Sequence, residues 1–151
     1  MEETTLNKKF YALIEPLLKE AGYNGKMVNG AMTVWKGHAG VRIHHHPMPY
    51  AQEYERVCIT FTLKNKRIAA DDPIILWLIN YLSGTYGEFN FTCLRRNCIK
   101  ARYVCDIHEP QDMVCQLAYA AEYFSHVRRD FRQQMVRLCN EYPTSDSQNN
   151  K

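Results

Sequence analysis

The chain has 151 residues, the length of one globular domain. A chain of this size can bury roughly 70% of the surface that it exposes when unfolded, so it needs no disulfide or metal to hold a core. Its net charge of +3 is mild, and its isoelectric point near 8.5 lies below that of typical nucleic-acid modules. The composition therefore permits an anionic partner without requiring one.

The N-terminus and the cysteines indicate the compartment. The opening residues, MEETTLNKK, lack the basic-then-apolar order of a signal peptide, and no apolar run approaches the length of a membrane span. The six cysteines form no CxxC pair, and Cys93 and Cys105 fall at apolar positions of predicted strands. Such positions are typical of reduced cysteines, which pack in protein cores as small apolar residues. We therefore expect a soluble, cytoplasmic protein without a disulfide framework.

The segment from Asp71 to Ile107 predicts a helix followed by a two-stranded antiparallel hairpin. Asp71 or Asp72 can cap the helix, and Pro73 fits its first turn, where a missing N–H costs nothing. Apolar residues then occur almost all round the helix as far as Ser83-Gly84, where we expect it to stop, so we expect burial on more than one side. Along the hairpin, apolar and polar residues alternate as in a sheet covered on one face only.

Three more strands are predicted before this segment. The hydrophobic period is two from Gly25 to Asn65, and Asn29-Gly30 gives a turn signal. The predicted strands are Ala31 to Lys36, Val41 to His45 and Tyr54 to Lys64. The prolines between the second and third strands cannot donate to a ladder, so that stretch is predicted to be a loop.

Amphipathic helices are predicted at both ends of the chain. Apolar residues form one stripe from Leu6 to Ala21, and they recur every third or fourth position from Gln111 to about Glu141. The order is therefore α-β-β-β-α-β-β-α in one domain at residues 1–142, followed by a polar tail at 143–151 that we expect to be disordered. The fold class that follows is α+β, with a single antiparallel five-stranded sheet and three helices on one face of it.

This order resembles that of the bacterial YbjN-like (sensory transduction regulator) family and of the type III secretion chaperones. The resemblance covers residues 5 to 140. It is clearest in WKGHAGVRI, where a strand turns through glycine into the next, and in LWLINYLSGTYGEFNF, where an apolar helix with an Ile79-Asn80 step runs into an aromatic strand. It implies a non-enzymatic protein, often a homodimer, that binds another polypeptide. Secretion chaperones of this type are typically acidic and this chain is slightly basic, which favours the YbjN-like relation.

A run of three histidines gives a candidate metal site. On a strand, His44 and His46 point the same way, about 6.5–7 Å apart along the backbone, and such a pair can chelate Zn²⁺, Ni²⁺ or Cu²⁺. His38 or His108 can supply a third ligand. No acidic residue lies at close spacing to orient the rings, so the alternative is an exposed strand end without a metal. We expect no bound cofactor and keep His44 and His46 as the candidate ligands.

Basic residues form a second candidate site, on the exposed face of the sheet. The candidate residues are Arg42, Arg95, Arg96, Lys100 and Arg102. Alternation places Lys100 and Arg102 opposite the apolar residues of their strand, and a surface of this kind can bind phosphates or an acidic protein. The alternative is a solvated sheet face. The aromatic residues of the hairpin fall in its buried phase, which argues against stacking on RNA bases.

Catalytic motifs do not emerge from the sequence. No glycine-rich elbow surrounds Ser83 or Ser125, and neither GxGxxG nor GxxxxGK occurs. Any of six cysteines can be drawn beside any of six histidines, so such a pairing carries no information. We therefore expect no enzymatic activity.

Three hypotheses follow for the function. The first is a protein-binding or regulatory module with a polypeptide partner. The second is a metal-binding protein or metal-dependent enzyme that uses His44 and His46. The third is a nucleic-acid binder that uses the basic face. We also expect a homodimer, formed through a sheet edge or through the C-terminal helix, where several aromatic residues lie off the apolar stripe.

Overall fold

The computed structural model describes residues 2–37, 39–47 and 53–143, which form three helices and one sheet. The helices are α1 (Glu2–Glu20), α2 (Pro73–Thr85) and α3 (Pro110–Glu141). The strands are β1 (Asn24–Val28), β2 (Ala31–Lys36), β3 (Ala39–His46), β4 (Glu55–Lys64), β5 (Asn90–Arg95) and β6 (Cys98–Ile107). The α+β class, the three helices and the single antiparallel sheet are confirmed, but the prediction of five strands is wrong because the sheet has six. Residues 48–52 of the predicted loop and the predicted tail from residue 144 lie outside the described residues.

The additional strand is β1, which the hydrophobic pattern did not reveal. All of its residues are exposed, so no alternation of buried and exposed positions marks it. Three of them, Asn24, Gly25 and Lys26, belong to types that are depleted in strands. It is held by backbone pairing with β2 around the predicted turn, where Asn29 and Gly30 have positive φ angles of 50° and 79°.

The strands are arranged in the order β1-β2-β3-β4-β6-β5, and every neighbouring pair is antiparallel. The alternate residues Val57, Ile59, Phe61 and Leu63 of β4 are buried, as predicted. Helix α3 packs on β4 and β6, α1 packs on β1 and β3, and α2 packs on β5. The opposite alternate residues of β4 and β6 are mostly exposed or half-buried, so the helices cover one face of the sheet.

Helix α2 begins as predicted and ends later than predicted. The side chain of Asp72 accepts a hydrogen bond of 2.9 Å from the backbone N–H of Ile74, and Pro73 occupies the first helical position. The helix continues through Ser83-Gly84 to Thr85, and the N–H of Tyr86 donates to the carbonyl of Leu82 at 2.8 Å. The predicted stop is therefore wrong, because helical hydrogen bonding outweighs the preference of a single glycine.

The predicted burial of α2 on more than one side is also wrong. Only one stripe of the helix is fully buried, while Leu76 is 50% exposed and Trp77 is 46% exposed. Trp77 stacks on Tyr81 at 5.4 Å, and the guanidinium of Arg137 lies 5.5 Å from its ring centre. Trp77 is thus covered in part by neighbouring side chains rather than by a second layer.

A polar cluster around the buried side chain of His45 connects α1 to the sheet. Its Nδ1 lies 2.7 Å from Oδ1 of Asn7 on α1, and its Nε2 lies 2.6 Å from Oε2 of Glu55 on β4. The imidazole stacks on Phe10 at 4.2 Å, and the backbone N–H of His45 donates to the hydroxyl of Tyr11 at 3.0 Å. Buried polar groups are costly unless they are paired in this way, so these contacts fix how α1 sits on β3 and β4.

The Glu55→Ala variant should lose about 1–3 kcal/mol of unfolding free energy, because Nε2 of buried His45 is left without its carboxylate. Urea unfolding followed by circular dichroism measures the loss. The matched control is Glu53→Ala, which removes an exposed carboxylate two residues away and should change stability by less than about 0.5 kcal/mol. Equal losses in the two variants would contradict the role given to the His45 contact.

Tyrosine side chains connect α2 and its C-terminal end to α3. The hydroxyls of Tyr81 and Tyr86 donate to Oδ2 of Asp130 at 2.8 Å and 2.9 Å. Burial, followed by the hydrogen bond to Asp130, raises the pKa of Tyr86 from 10.0 to about 12. The neutral phenol is therefore the form that the folded state favours.

Stability should fall as the pH rises from 10 towards 12, because the pKa of Tyr86 is about 12 in the folded protein and 10.0 when unfolded. The contribution is fully present below pH 10 and is lost as the pH rises through the folded pKa. Urea midpoints measured across this range should fall less steeply in Tyr86→Phe. Tyr142→Phe alters an exposed ring at the end of α3 and should keep the wild-type slope. Identical slopes for all three proteins would refute the assignment.

Candidate functional site

A depression of about 400 Å³ lies on the outward side of the sheet, where side chains of three neighbouring strands meet. We call it the sheet-face depression. Its lining residues are Arg42, His44, His46, Cys58, Thr60, Lys100 and Arg102. The structure thus brings together both candidate metal ligands and three of the five candidate basic residues, which come from β3 and β6.

The strand register places the cations of this depression. Thr60 on β4 pairs with Arg42 on β3 and with Arg102 on β6. Since neighbouring strands lie about 4.8 Å apart, the backbones of the two arginines are about 10 Å apart. Lys100 lies on the same side of β6, and its Nζ donates to Oγ1 of Thr62 at 3.0 Å. The side chains of Arg42, Lys100 and Arg102 thus line the same depression, and the guanidinium of Arg42 also donates to the carbonyl of Asn29 in the β1–β2 turn at 3.5 Å.

The charge of these cations is not neutralised by neighbouring acids. In the part of the chain that the structure describes, no carboxylate lies within ion-pair distance of Arg42, Lys100 or Arg102. Asp106, farther along β6, is paired with Arg56 at 3.1 Å. The hydrogen bond to Asp106 raises the pKa of that guanidinium. The sheet-face depression consequently presents a positive potential to a ligand.

The two candidate metal ligands lie side by side. The ring centres of His44 and His46 are 4.7 Å apart, with an angle of 63° between the rings. His108 is turned to the loop, where its Nδ1 lies 3.2 Å from the carbonyl of Glu53, and His38 lies outside the described residues. Among the residues described, no group of three potential ligands forms. The metal site remains a prediction, and the neighbouring cations oppose the approach of a divalent ion.

The remaining two candidate basic residues lie elsewhere. Arg95 ends β5 and Arg96 follows it in the exposed turn before β6, and neither lines the sheet-face depression. The β5–β6 pairing shifts its register between Thr92 and Arg95. The alternation of faces that places Lys100 on the open side of the sheet therefore does not apply to these two arginines. They lie instead at the exposed end of the hairpin.

Cys58 and Thr60 complete the depression without having been candidates in the sequence. The alternation of β4 assigns both to its polar phase. That signal does not say which residues of β3 and β6 lie opposite them. Register across strands is the missing information, and a single sequence does not supply it.

Comparisons with protein-family models, with curated proteins and with solved structures found no match. The resemblance to the YbjN-like family therefore remains a prediction, and the site has to be interpreted from its own chemistry. None of the helices in the described ranges combines the length and apolar character needed to span a bilayer.

Proposed function

We propose that the chain is a non-enzymatic, cytoplasmic binding module of the YbjN-like or secretion-chaperone-like kind, and that its sheet-face depression binds an acidic segment of another polypeptide. The observation that carries this proposal is the grouping of Arg42, Lys100 and Arg102 around one depression, with no carboxylate partner among the residues described. Carboxylates form charge-assisted hydrogen bonds with guanidinium groups, which are stronger than those between neutral groups. An acidic segment would supply the missing partners.

The lining of the depression favours a polypeptide over a single-stranded nucleic acid. The described residues that line it include no Phe, Tyr or Trp, and the rings of His44 and His46 lie edge to face with each other, 4.7 Å between centres. Sequence-tolerant nucleic-acid binding relies instead on stacking of bases on large aromatic rings. The hairpin aromatics Phe89 and Phe91 are buried, and Tyr103 donates to Gln116 on α3 at 2.9 Å. These rings are already used in packing on the helical side, as their phase in the sequence predicts.

The same lining supports binding rather than catalysis. Among the described residues, no carboxylate lines the depression to orient a histidine or to assist the activation of a nucleophile. The thiol of Cys58 is buried, and its sulfur lies 3.8 Å from the hydroxyl of Thr60. The groups present are suited to holding negative charge.

The double variant Arg42→Gln/Arg102→Gln should bind a fluorescein-labelled peptide of alternating glutamate and glycine at least about tenfold more weakly than the wild type, because two charge-assisted contacts are lost. Fluorescence anisotropy measures the affinity. The matched control, Arg95→Gln/Arg96→Gln, removes the same charge from the hairpin end and should change affinity little. Equal losses of peptide affinity in the two double variants would show that only net charge determines binding and would contradict the assignment of the site to the sheet-face depression.

Two further measurements separate the alternatives. A single-stranded oligonucleotide carrying the same number of charges should bind more weakly than the peptide; tighter binding that falls steeply with salt would favour the nucleic-acid hypothesis. Native mass spectrometry of the untagged protein reports bound species directly. A co-purifying polypeptide would support the proposal, and one metal ion per chain would favour a site at His44 and His46.

We also propose that the protein is a homodimer joined through β1. Within the described residues, β1 pairs with β2 alone, so the backbone groups on its other edge have no partner strand. Met27 and Val28 on this strand are 46% and 40% exposed. The alternative interface on α3 is less favoured, since the hydroxyl of Tyr119 donates to Glu88 at 2.9 Å and its ring stacks on Tyr123. Pairing of two β1 strands about a twofold axis would join two sheets into one.

Met27→Lys should convert the dimer to a monomer in multi-angle light scattering, because a charge on an edge strand opposes strand pairing. The control is Leu94→Lys, which places the same charge at an exposed position on β5, the opposite edge of the sheet, and should leave the dimer intact. A monomeric wild-type protein would end the dimer proposal, and dissociation by Leu94→Lys alone would move the interface to β5.

A further inference from the structure

A second and larger cavity lies between the end of β4 and the C-terminal half of α3. It has a volume of about 740 Å³, and we call it the α3 groove. The last residues of β4, Thr62 to Lys64, and the following Asn65 form one side, and helix residues between Arg128 and Asn140 form the other. It shares no residue with the sheet-face depression, so the two cavities can be tested separately.

The floor of the α3 groove is apolar. Leu63, Phe131 and Met135 are buried, and Cys139 is half-buried. Phe131, Met135 and Cys139 follow one another at intervals of four residues and so lie on one side of the helix. The helical lining from Arg128 to Asn140 extends about 18 Å, at 1.5 Å per residue. The groove is thus long as well as apolar.

The ionic residues that line this groove are all cations. They are Lys64, Arg128 and Arg132, and no Asp or Glu of the described residues lines it. The guanidinium of Arg128 lies 5.0 Å from the ring centre of Phe124, which holds it at the groove wall. Arg132 and Lys64 are exposed at the rim. An apolar floor below a cationic rim matches a ligand with an apolar chain and a negative head.

We propose that the α3 groove binds a single-chain anionic amphiphile, with its acyl chain on the apolar floor and its carboxylate held by Arg132, Arg128 and Lys64. The volume of about 740 Å³ lies within the range of small-molecule sites, and the charge of the rim is complementary to a carboxylate. The last residues of the chain, TSDSQNNK, carry no apolar side chain and do not match the floor. This inference goes beyond the proposed function and does not depend on it.

Dodecanoate, used below its micelle concentration, is the first probe. Its binding should slow the alkylation of Cys139 by iodoacetamide several-fold, as measured by peptide mass spectrometry. Cys115 is exposed on the same helix, outside the groove, and its alkylation should not change. Unchanged alkylation of Cys139, or equal slowing at both cysteines, would overturn the proposal.

The contribution of charge is tested with a matched pair of variants. Arg132→Gln removes an exposed cation from the rim and should weaken dodecanoate binding about tenfold. Arg129→Gln removes an exposed cation that lies on the same helix but outside the groove, so it should leave dodecanoate binding unchanged. Dodecanol, which has the same chain without the charge, should bind at least about tenfold more weakly than dodecanoate. Equal affinity for the two ligands, or no effect of Arg132→Gln, would overturn the assignment of the head group.

Two controls separate this groove from the other proposals. Arg132→Gln should leave binding of the glutamate–glycine peptide at the sheet-face depression unchanged, so failure of one site does not imply failure of the other. Without ligand, the alkylation rate of Cys139 should not depend on protein concentration. A rate that falls as concentration rises would show that a second copy covers the groove and would overturn the amphiphile as its occupant.

Discussion

The antiparallel pairing of β4 with β6, from Glu55 opposite Ile107 to Lys64 opposite Cys98, is the constraint on which the rest of the structure depends. On the face of the sheet that the helices cover, Phe61 of β4 stacks on Phe124 of α3 with 4.4 Å between ring centres, and this contact helps to position the longest helix. Outward, the same register sets Thr60 beside Arg102. A slip of one residue would exchange the two faces of a strand. The core and the sheet-face depression are therefore specified by one set of backbone hydrogen bonds.

The sequence predicts those parts of the fold in which burial and periodicity agree. The strand β4 and the helix α3 were predicted almost to their ends, because their apolar residues recur with the period of the element that they form. The strand β1 has no such pattern because none of its residues is buried, and the outer side of α2 departs from its pattern because Leu76 and Trp77 are apolar but exposed. For the site, alternation correctly assigned Lys100 and Arg102 to the open face. Their meeting with Arg42 and His44 depends on register, which no local pattern encodes.

The three consecutive histidines have different roles because successive residues of a strand point to opposite faces of the sheet. His45 points to the helices and is buried between Asn7 and Glu55, whereas His44 and His46 line the sheet-face depression. The central histidine therefore contributes to holding α1 on the sheet. A substitution of the whole run would disturb folding and ligand binding together, so the two outward residues have to be changed without the inward one.

The mild net charge of +3 conceals two cationic surfaces because the acids are engaged elsewhere. Lysine and arginine number 19 against 16 aspartates and glutamates, which suggests near balance. Many of the acids accept hydrogen bonds within the fold: Glu55, Asp72, Glu88, Asp106, Asp112, Asp130 and Glu141. The cations of the sheet-face depression and of the α3 groove are left without such partners in the described part of the chain. What a ligand meets is therefore the local distribution of charge, and an isoelectric point near 8.5 is compatible with binding sites that are strongly positive.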